Sequence, residues 1–172
     1  RYAYMANYTG DTLGIYDVSN PSTPVLVGSV DAGPGSQNPR YIFVQGRYAY
    51  LTGNNYFDIW DVSNLSSLTR VSTNTISGNN GRTVYVQGRY AYLTTNAATN
   101  GFQIWDVSNP AAPTLVSSNT LNTTGQGLFV QGRYAYFADA GTTNAFEVWD
   151  IGGAYIQQLE AGGLEAGTLS LR

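Results

Sequence analysis

Carboxylates are the only side chains in this sequence with obvious catalytic chemistry. The chain contains no His and no Cys, and all eight of its basic residues are Arg. A Ser-His-Asp triad, a zinc site of imidazoles or thiolates and a phosphate-binding loop with Lys are therefore excluded. The sequence predicts no catalytic residue, no metal site and no cofactor, and hence a protein that is not an enzyme.

Four of the eleven acidic residues recur with a regular period. They are Asp17, Asp61, Asp106 and Asp150, and a second recurring series consists of Arg1, Arg47, Arg89 and Arg133. Because an active site needs one special residue and not four equivalents, we interpret these residues as structural. We predict the ion pairs Arg1–Asp17, Arg47–Asp61, Arg89–Asp106 and Arg133–Asp150 across neighbouring strands.

The other acidic residues leave one catalytic alternative open. Asp58 and Glu147 occupy the same place in two repeats, and two carboxylates can act as acid and base on a glycan. We favour ordinary polar positions near a strand end for both. Asp11 and Asp139 lie in predicted loops, where oxygen ligands can bind calcium, but no Asp-X-Asp-X-Asp pattern surrounds them.

Composition limits the partners of the chain. Of its 172 residues 42% are apolar and only 11% are charged, while 14 Tyr, 6 Phe and 3 Trp supply ample surface for a core. A net charge of −3 without a basic patch argues against nucleic acid. No apolar run is long enough to span a membrane, so we expect no membrane insertion.

A repeat of 42 to 46 residues runs through the chain. Arg-Tyr-Ala-Tyr occurs at 1–4, 47–50, 89–92 and 133–136, and each copy is followed by a segment such as IWDVSNP. The second copy predicts strands A (41–45), B (47–51), C (57–62) and D (68–72). This period with β-branched and aromatic residues predicts an all-β fold, a β-propeller of four antiparallel four-stranded blades, alone or within a larger propeller.

The register of the B–C hairpin can also be predicted. Setting each repeat Arg opposite its repeat Asp places Met5 opposite Leu13, Ala49 opposite Ile59 and Tyr48 opposite Trp60. The sheet would then carry small and branched residues on one face and aromatic pairs on the other.

The run RYAYL…FDIWDVSNP…PVLVG resembles the LVIVD repeat, and the Trp-Asp pairs are more distantly similar to WD repeats. The resemblance implies a β-propeller from a secreted or cell-surface protein, with no activity common to the family. We divide the chain into repeats at 1–46, 47–88, 89–132 and 133–160, followed at 161–172 by a C-terminal strand that either closes the propeller or begins a following module.

Loops at the two ends of each blade differ in character. The A–B and C–D turns are nearly constant, whereas the B–C and D–A loops vary, and variable loops on a rigid scaffold commonly bind ligands. Our candidate binding residues are Asn54, Asn55, Tyr56, Asn96, Asn100, Asp139 and the 31–40 loop, and the tyrosines outside the repeat pattern are Tyr8, Tyr56 and Tyr155. Asn7 and Asn122 in predicted loops and Asn64 in a turn begin possible glycosylation sequons.

The leading interpretation is a non-enzymatic structural or adhesive module of an extracellular, cell-surface or virion protein, with an unidentified protein or glycan partner. The alternatives are a carboxylate-based glycan hydrolase and a phage tail-fibre module. The first repeat lacks strand A, and we expect residues 167–172 to pair with residues 1–5 and close the ring. A larger propeller and donation of that strand to a neighbouring copy are the competing expectations.

Overall fold

The computed structural model describes residues 1–33, 38–78, 80–141 and 145–152. Within these ranges the chain forms fourteen strands in four antiparallel sheets and no helix. The strands are rich in Val, Ile, Tyr, Phe, Trp and Thr, which suit a pleated and half-buried backbone. The predicted all-β, propeller-type architecture is confirmed.

The four sheets follow one another along the chain. The first contains β1 (Tyr2–Asn7), β2 (Thr12–Asp17) and β3 (Val25–Asp31). The second contains β4 (Tyr41–Gln45), β5 (Tyr48–Gly53), β6 (Tyr56–Asp61) and β7 (Thr69–Thr75). The third contains β8 (Gly81–Gln87), β9 (Tyr90–Thr95), β10 (Phe102–Asp106) and β11 (Thr114–Asn119), and the fourth β12 (Gly125–Gln131), β13 (Tyr134–Asp139) and β14 (Phe146–Asp150).

The predicted strands A to D appear in order in the second and third sheets. The first sheet has strands B to D, and within the described residues the fourth has strands A to C. Strands β4, β8 and β12 contact one another in sequence, and β1 contacts β4, so the A strands lie innermost. The proposed closing strand at 167–172 and Tyr155 lie outside the described residues.

The predicted B–C register is wrong by one residue in every sheet. Asp61 lies opposite Tyr48 and Trp60 opposite Ala49, with the same shift in the other three hairpins. Arg47 lies opposite Val62 instead of Asp61, because the Val62 amide donates to the Arg47 carbonyl at 2.9 Å. Gly46, with a φ of +61°, and Arg47 are the two central residues of the A–B turn, so strand B begins after the arginine.

The corrected register explains why alanine recurs in strand B. Ala49 lies beside Trp60 on one face of the sheet, and the small side chain leaves room for the indole. Tyr50 lies opposite Ile59 on the other face. We call the face toward the preceding sheet the rear face, which carries Ala and Trp, and the face toward the following sheet the forward face, which carries Tyr and Ile.

The core consists of three seams between consecutive sheets. In the seam between the third and fourth sheets, forward-face residues Tyr92 and Phe102 pack against rear-face residues Ala135, Phe137 and Trp149. The Phe102 ring meets that of Phe137 edge-on at 4.8 Å between centroids and that of Trp149 at 5.9 Å. Equivalent residues fill the other two seams.

Two glycines allow the close approach of consecutive sheets at the start of strand A. A Cβ on Gly81 would lie 2.8 Å from the Cβ of Thr52, and one on Gly125 would lie 2.8 Å from the Cβ of Thr94. Each contact joins a strand A to strand B of the preceding sheet. A side chain at either position would push the two sheets apart.

Leucines in a seam and on the outer surface should respond differently to truncation. Leu93 is fully buried between the second and third sheets, whereas Leu115 on β11 is 47% exposed. We expect Leu93→Ala to lower the free energy of unfolding by about 2–5 kcal/mol and Leu115→Ala by less than about 1 kcal/mol, because only the former leaves a cavity. Urea denaturation of both variants measures this, and similar losses would contradict the seam packing.

Candidate functional site

The constant turns are built by side-chain caps on the backbone. In the C–D turn of the second sheet, the Ser63 amide donates to Asp61 Oδ1 and the Ser66 amide donates to Asn64 Oδ1. The Asp-X-Ser-Asn sequence thus provides two successive Asx turns, because both side chains accept from an amide two residues ahead. The same bonds recur at Asp17, Asn20, Asp106 and Asn109, and Asp150 caps Gly152.

Arg–Asp ion pairs form in three of the four sheets, namely Arg47–Asp61, Arg89–Asp106 and Arg133–Asp150. Each arginine also lies over the ring of the tyrosine that follows it. The Arg47 guanidinium holds the pKa of Asp61 well below its usual range, and Arg89 lowers that of Asp106 to about 2. Arg1 and Asp17, both described, form no ion pair within 4.0 Å.

We call the end of the sheets that carries the A–B and C–D turns the turn end. There the Val-Gln-Gly sequence joins neighbouring sheets. The Gln45 side-chain amide donates to the Gly88 carbonyl at 2.9 Å, and Gln87 donates to the Gly132 carbonyl at the same distance. A groove of about 540 Å³ lies beside the first of these bonds. Its lining includes Arg47, Tyr48 and Arg89, together with Tyr50, Val107 and Pro110.

The opposite end of the sheets carries the B–C and D–A loops, and we call it the loop end. It contains two arginines without a carboxylate partner in the described part of the chain. Arg40 Nη2 donates to Asn54 Oδ1 at 3.4 Å, and Arg82 donates from Nε and Nη2 to Asn96 Oδ1 at 3.1 and 2.6 Å. The guanidinium of Arg40 also lies 4.8 Å from the centre of the Tyr8 ring. In the ranges that the structure describes, these two half-buried cations therefore meet neutral acceptors only.

Several predicted binding residues shape the loops instead of presenting free side chains. Asn55 and Asn100 have left-handed backbones, with φ of +59° and +56°, which asparagine tolerates. Asn55 Oδ1 accepts from the Asn80 amide, and Asn100 Oδ1 accepts from the Ser118 hydroxyl. Asn54 and Asn96 hold the two arginines.

Tyr56, one of the predicted binding residues, is buried. Its side chain belongs to the seam between the first and second sheets and is 5% exposed, and burial raises the pKa of its hydroxyl well above the usual value. Tyr8, in contrast, is 46% exposed. Asn7 is the last residue of β1, not a loop residue, and its Oδ1 accepts from the Gly10 amide. Asn64 and Asn122 are exposed.

Asp58 and Glu147 lie in two different seams. Asp58 is fully buried, and it accepts from the Thr73 hydroxyl and pairs with Arg70 at 3.3 Å. Glu147 accepts from the Trp149 indole at 2.8 Å and from the Asn122 amide at 3.1 Å. At the equivalent position in the third sheet, Gln103 accepts from the Trp105 indole and donates to the Ser77 carbonyl. In the third and fourth sheets this position bonds directly to the preceding D–A loop, and in the second sheet Arg70 links Asp58 to the Ala32 carbonyl of that loop. The two carboxylates do not face one another.

The described ranges contain no group of three or more Asp and Glu side chains that could hold a metal ion. Nor does any helix in them have the length and apolar character needed to cross a membrane.

The fold and these two ends define a β-propeller-type protein. The LVIVD repeat family model matches residues 1–32, 38–75 and 78–120, and the chain belongs to the LVIVD repeat family. No curated protein sequence is significantly similar to it.

Solved structures support the fold. A Bacteroides uniformis protein described as a 6-phosphogluconolactonase is 17% identical, with a TM-score of 0.74 over 87% of this chain and 47% of that one. The designed proteins Ika8 and Ika4 are 11% and 13% identical, both with a TM-score of 0.65. The match covers 87% of this chain and 43% of Ika8, and 88% of this chain and 86% of Ika4. The chain thus spans less than half of the length of Ika8 and of the Bacteroides protein.

The carboxyl of Asp139 should make stability depend on pH. Burial first, and Glu147 second, raise the pKa of Asp139 to about 6, above the value of about 3.9 for an unfolded chain. Between these two values the folded state retains a proton that the unfolded state has lost, so the contribution of Asp139 to stability falls as the pH rises.

We therefore expect Asp139→Asn to stabilise the protein relative to the wild type by about 1–2 kcal/mol more at pH 7 than at pH 4. Denaturant unfolding of both proteins at pH 4, 5.5 and 7 measures the difference. If the two proteins differed by the same free energy of unfolding at all three pH values, burial of Asp139 would not destabilise its charged form, and the prediction would be contradicted.

Proposed function

We propose that this chain is a non-enzymatic binding module of a secreted or cell-surface protein, and that its loop end binds an anionic ligand such as an acidic glycan. The observation that carries the proposal is the contrast between the arginines at the two ends. Arg47, Arg89 and Arg133 at the turn end are neutralised by aspartates, whereas among the described residues Arg40 and Arg82 at the loop end have asparagine acceptors and no carboxylate partner.

The geometry of the two loop-end arginines suits a ligand with carboxylate, sulfate or phosphate groups. A guanidinium presents a planar fork of donors that matches such groups, and pairing with an anion is stronger than pairing with an amide oxygen. Arg40 and Arg82 occupy equivalent positions in the second and third sheets, whose innermost strands are in contact. Arg40 Nε is buried and has no hydrogen-bond partner among the described residues.

Tyr8 adds an aromatic surface beside this pair of cations. It is 46% exposed and packs on Arg40, so one side of its ring remains available to a sugar or another planar group. The turn end offers a groove as well, but its arginines are held by Asp61 and Asp106. For this reason we place the ligand at the loop end and use the groove as the control site.

The secreted or surface location comes from the resemblance to LVIVD proteins, and it is part of the proposal. A glycan hydrolase that uses Asp58 and Glu147 receives no support from the geometry, since each carboxylate is engaged in its own seam. The likeness to a protein described as a lactonase is one of fold, and catalytic turnover is therefore one of the outcomes that the experiment must address.

Binding to an array of neutral, uronic-acid and sulfated glycans tests the proposal. We expect the acidic glycans to bind and the Arg40→Gln/Arg82→Gln variant to lose about tenfold or more in affinity, because each charge-assisted bond contributes about 1.5–3 kcal/mol. Arg89→Gln, which removes a charge from the turn-end groove, should bind like the wild type.

Equal binding of neutral glycans, or loss of binding in Arg89→Gln alone, would contradict the proposed site. Turnover of a bound glycan or of 6-phosphogluconolactone by the wild-type chain would contradict the non-enzymatic assignment. Thermal unfolding of each variant checks that the sheets remain folded.

A further inference from the structure

Two acidic side chains lie together at the loop end of the seam between the third and fourth sheets. Phe137 on β13 lies opposite Glu147 on β14, and two residues nearer the loop the Asp139 amide donates to the Ala145 carbonyl. Asp139 and Glu147 are therefore diagonal neighbours on the rear face. Their carboxyl groups lie within hydrogen-bonding reach of one another.

Asp139 is buried without a bond that satisfies its charge. It is 9% exposed, and neither of its carboxylate oxygens has a hydrogen-bond partner among the described residues. The amide of Thr123, from the preceding D–A loop, points toward this carboxyl without reaching hydrogen-bonding geometry. The hydroxyl oxygen of Thr123 is also buried and has no partner in the part of the chain that the structure describes.

No basic side chain of the described ranges balances the two carboxylates. Seven of the eight arginines are described, and none of these seven lies within 4.0 Å of Asp139 or Glu147. The eighth, Arg172, lies outside the described residues, and residues 142–144 between β13 and β14 are Thr, Thr and Asn. Because a buried carboxylate is normally paired with a cation or coordinates a metal ion, this pair calls for a cation from solution.

The equivalent positions of the other sheets show that the fold does not require two acids here. The pairs of residues at these positions are Asn7 and Gly14, Gly53 and Asp58, and Thr95 and Gln103. The single acid among them, Asp58, has Arg70 as its cation. Thr95 and Gln103 in the third sheet are neutral, and both donate to backbone carbonyls. The acidic pair is thus a feature of the fourth sheet and not of the repeat.

We propose that Asp139, Glu147 and the Thr123 hydroxyl bind a calcium ion at the loop end of this seam. Calcium takes six to eight oxygen ligands in irregular geometry, and water completes its coordination. The two oxygens of Glu147 each accept one hydrogen bond, from the Asn122 amide and the Trp149 indole, and each retains a second lone pair for the metal. Magnesium demands near-ideal octahedral geometry, which oxygens already held by these donors do not offer. The proposal does not depend on the anionic ligand proposed above, and the pH dependence predicted for Asp139→Asn concerns the calcium-free chain.

Calorimetric titration of the EDTA-treated chain with calcium chloride tests the site. We expect a single site with a Kd of about 0.1–1 mM, in the range of extracellular calcium modules, and much weaker binding of magnesium chloride. Asp139→Thr/Glu147→Gln, which copies the neutral pair of the third sheet, should lose about tenfold or more in affinity because it removes both charges. Asp31→Asn removes an exposed carboxylate elsewhere at the loop end, and as the matched control it should bind calcium like the wild type.

Terbium(III) luminescence locates the bound ion. The Trp149 indole donates to Glu147 at 2.8 Å, so excitation of this indole should sensitise emission from a terbium ion held by the carboxylates. Trp149→Phe should remove most of the sensitised emission and leave the heat of calcium binding in place, because Trp60 and Trp105 belong to other sheets. Excess calcium should displace the terbium.

Four results would overturn the inference. The first is a wild-type chain that binds no calcium up to about 10 mM, well above the expected range, in which case the two carboxyl groups share a proton and no metal. The others are equal affinity for magnesium, calcium binding by the double variant at wild-type strength, and terbium emission that Trp149→Phe leaves unchanged. Thermal unfolding in EDTA checks that each variant keeps its fold, and Asp139→Asn replaces the double variant if that protein does not fold.

Discussion

The fold depends on the packing of one sheet's forward face against the next sheet's rear face. Tyr, Phe and Ile on the first surface meet Ala, Leu and Trp on the second, and the alanine in strand B leaves the space that the indole fills. A single blade cannot bury both of its faces, so each one is stabilised by its neighbours. This constraint explains why the repeat keeps apolar residues on both faces of every strand B and C.

The polar parts of the repeat have a different role, because they fix geometry at the two ends of the sheets. Asp and Asn cap the C–D turn, and Gln45 and Gln87 tie one sheet to the next. Gln103 and Glu147 bond directly to the preceding D–A loop, whereas Asp58 pairs with Arg70, which in turn donates to the Ala32 carbonyl of that loop. Position in the repeat, more than residue type, therefore decides what a side chain contacts here, and the two carboxylates that resembled catalytic groups are engaged in different seams.

Period, strand order and three of the four Arg–Asp partners were predictable, because recurrence reports directly on equivalent positions. The register of the B–C hairpin was not predictable. Arg47 belongs to the A–B turn and its guanidinium reaches Asp61 diagonally. Spacing in the sequence alone does not distinguish such a diagonal pair from two residues directly opposite one another. Tyr56 was misjudged because alternation places it on the rear face beside Trp60. The Arg40–Asn54 and Arg82–Asn96 contacts bring together the start of strand A and the B–C loop, and no repeat motif marks them.

Hydrogen–deuterium exchange of the dilute chain tests most directly whether the stability of each sheet depends on its packing against neighbouring sheets. If the seams stabilise the sheets, amides of β5, β6, β8 and β9, which are covered on both sides, should exchange slowest. Amides of β1, β2 and β14, each with one face that no other described sheet covers, should exchange faster in the monomer. Equal protection of all four sheets in the monomer would contradict this account, because it would mean that each sheet is stable without its neighbours.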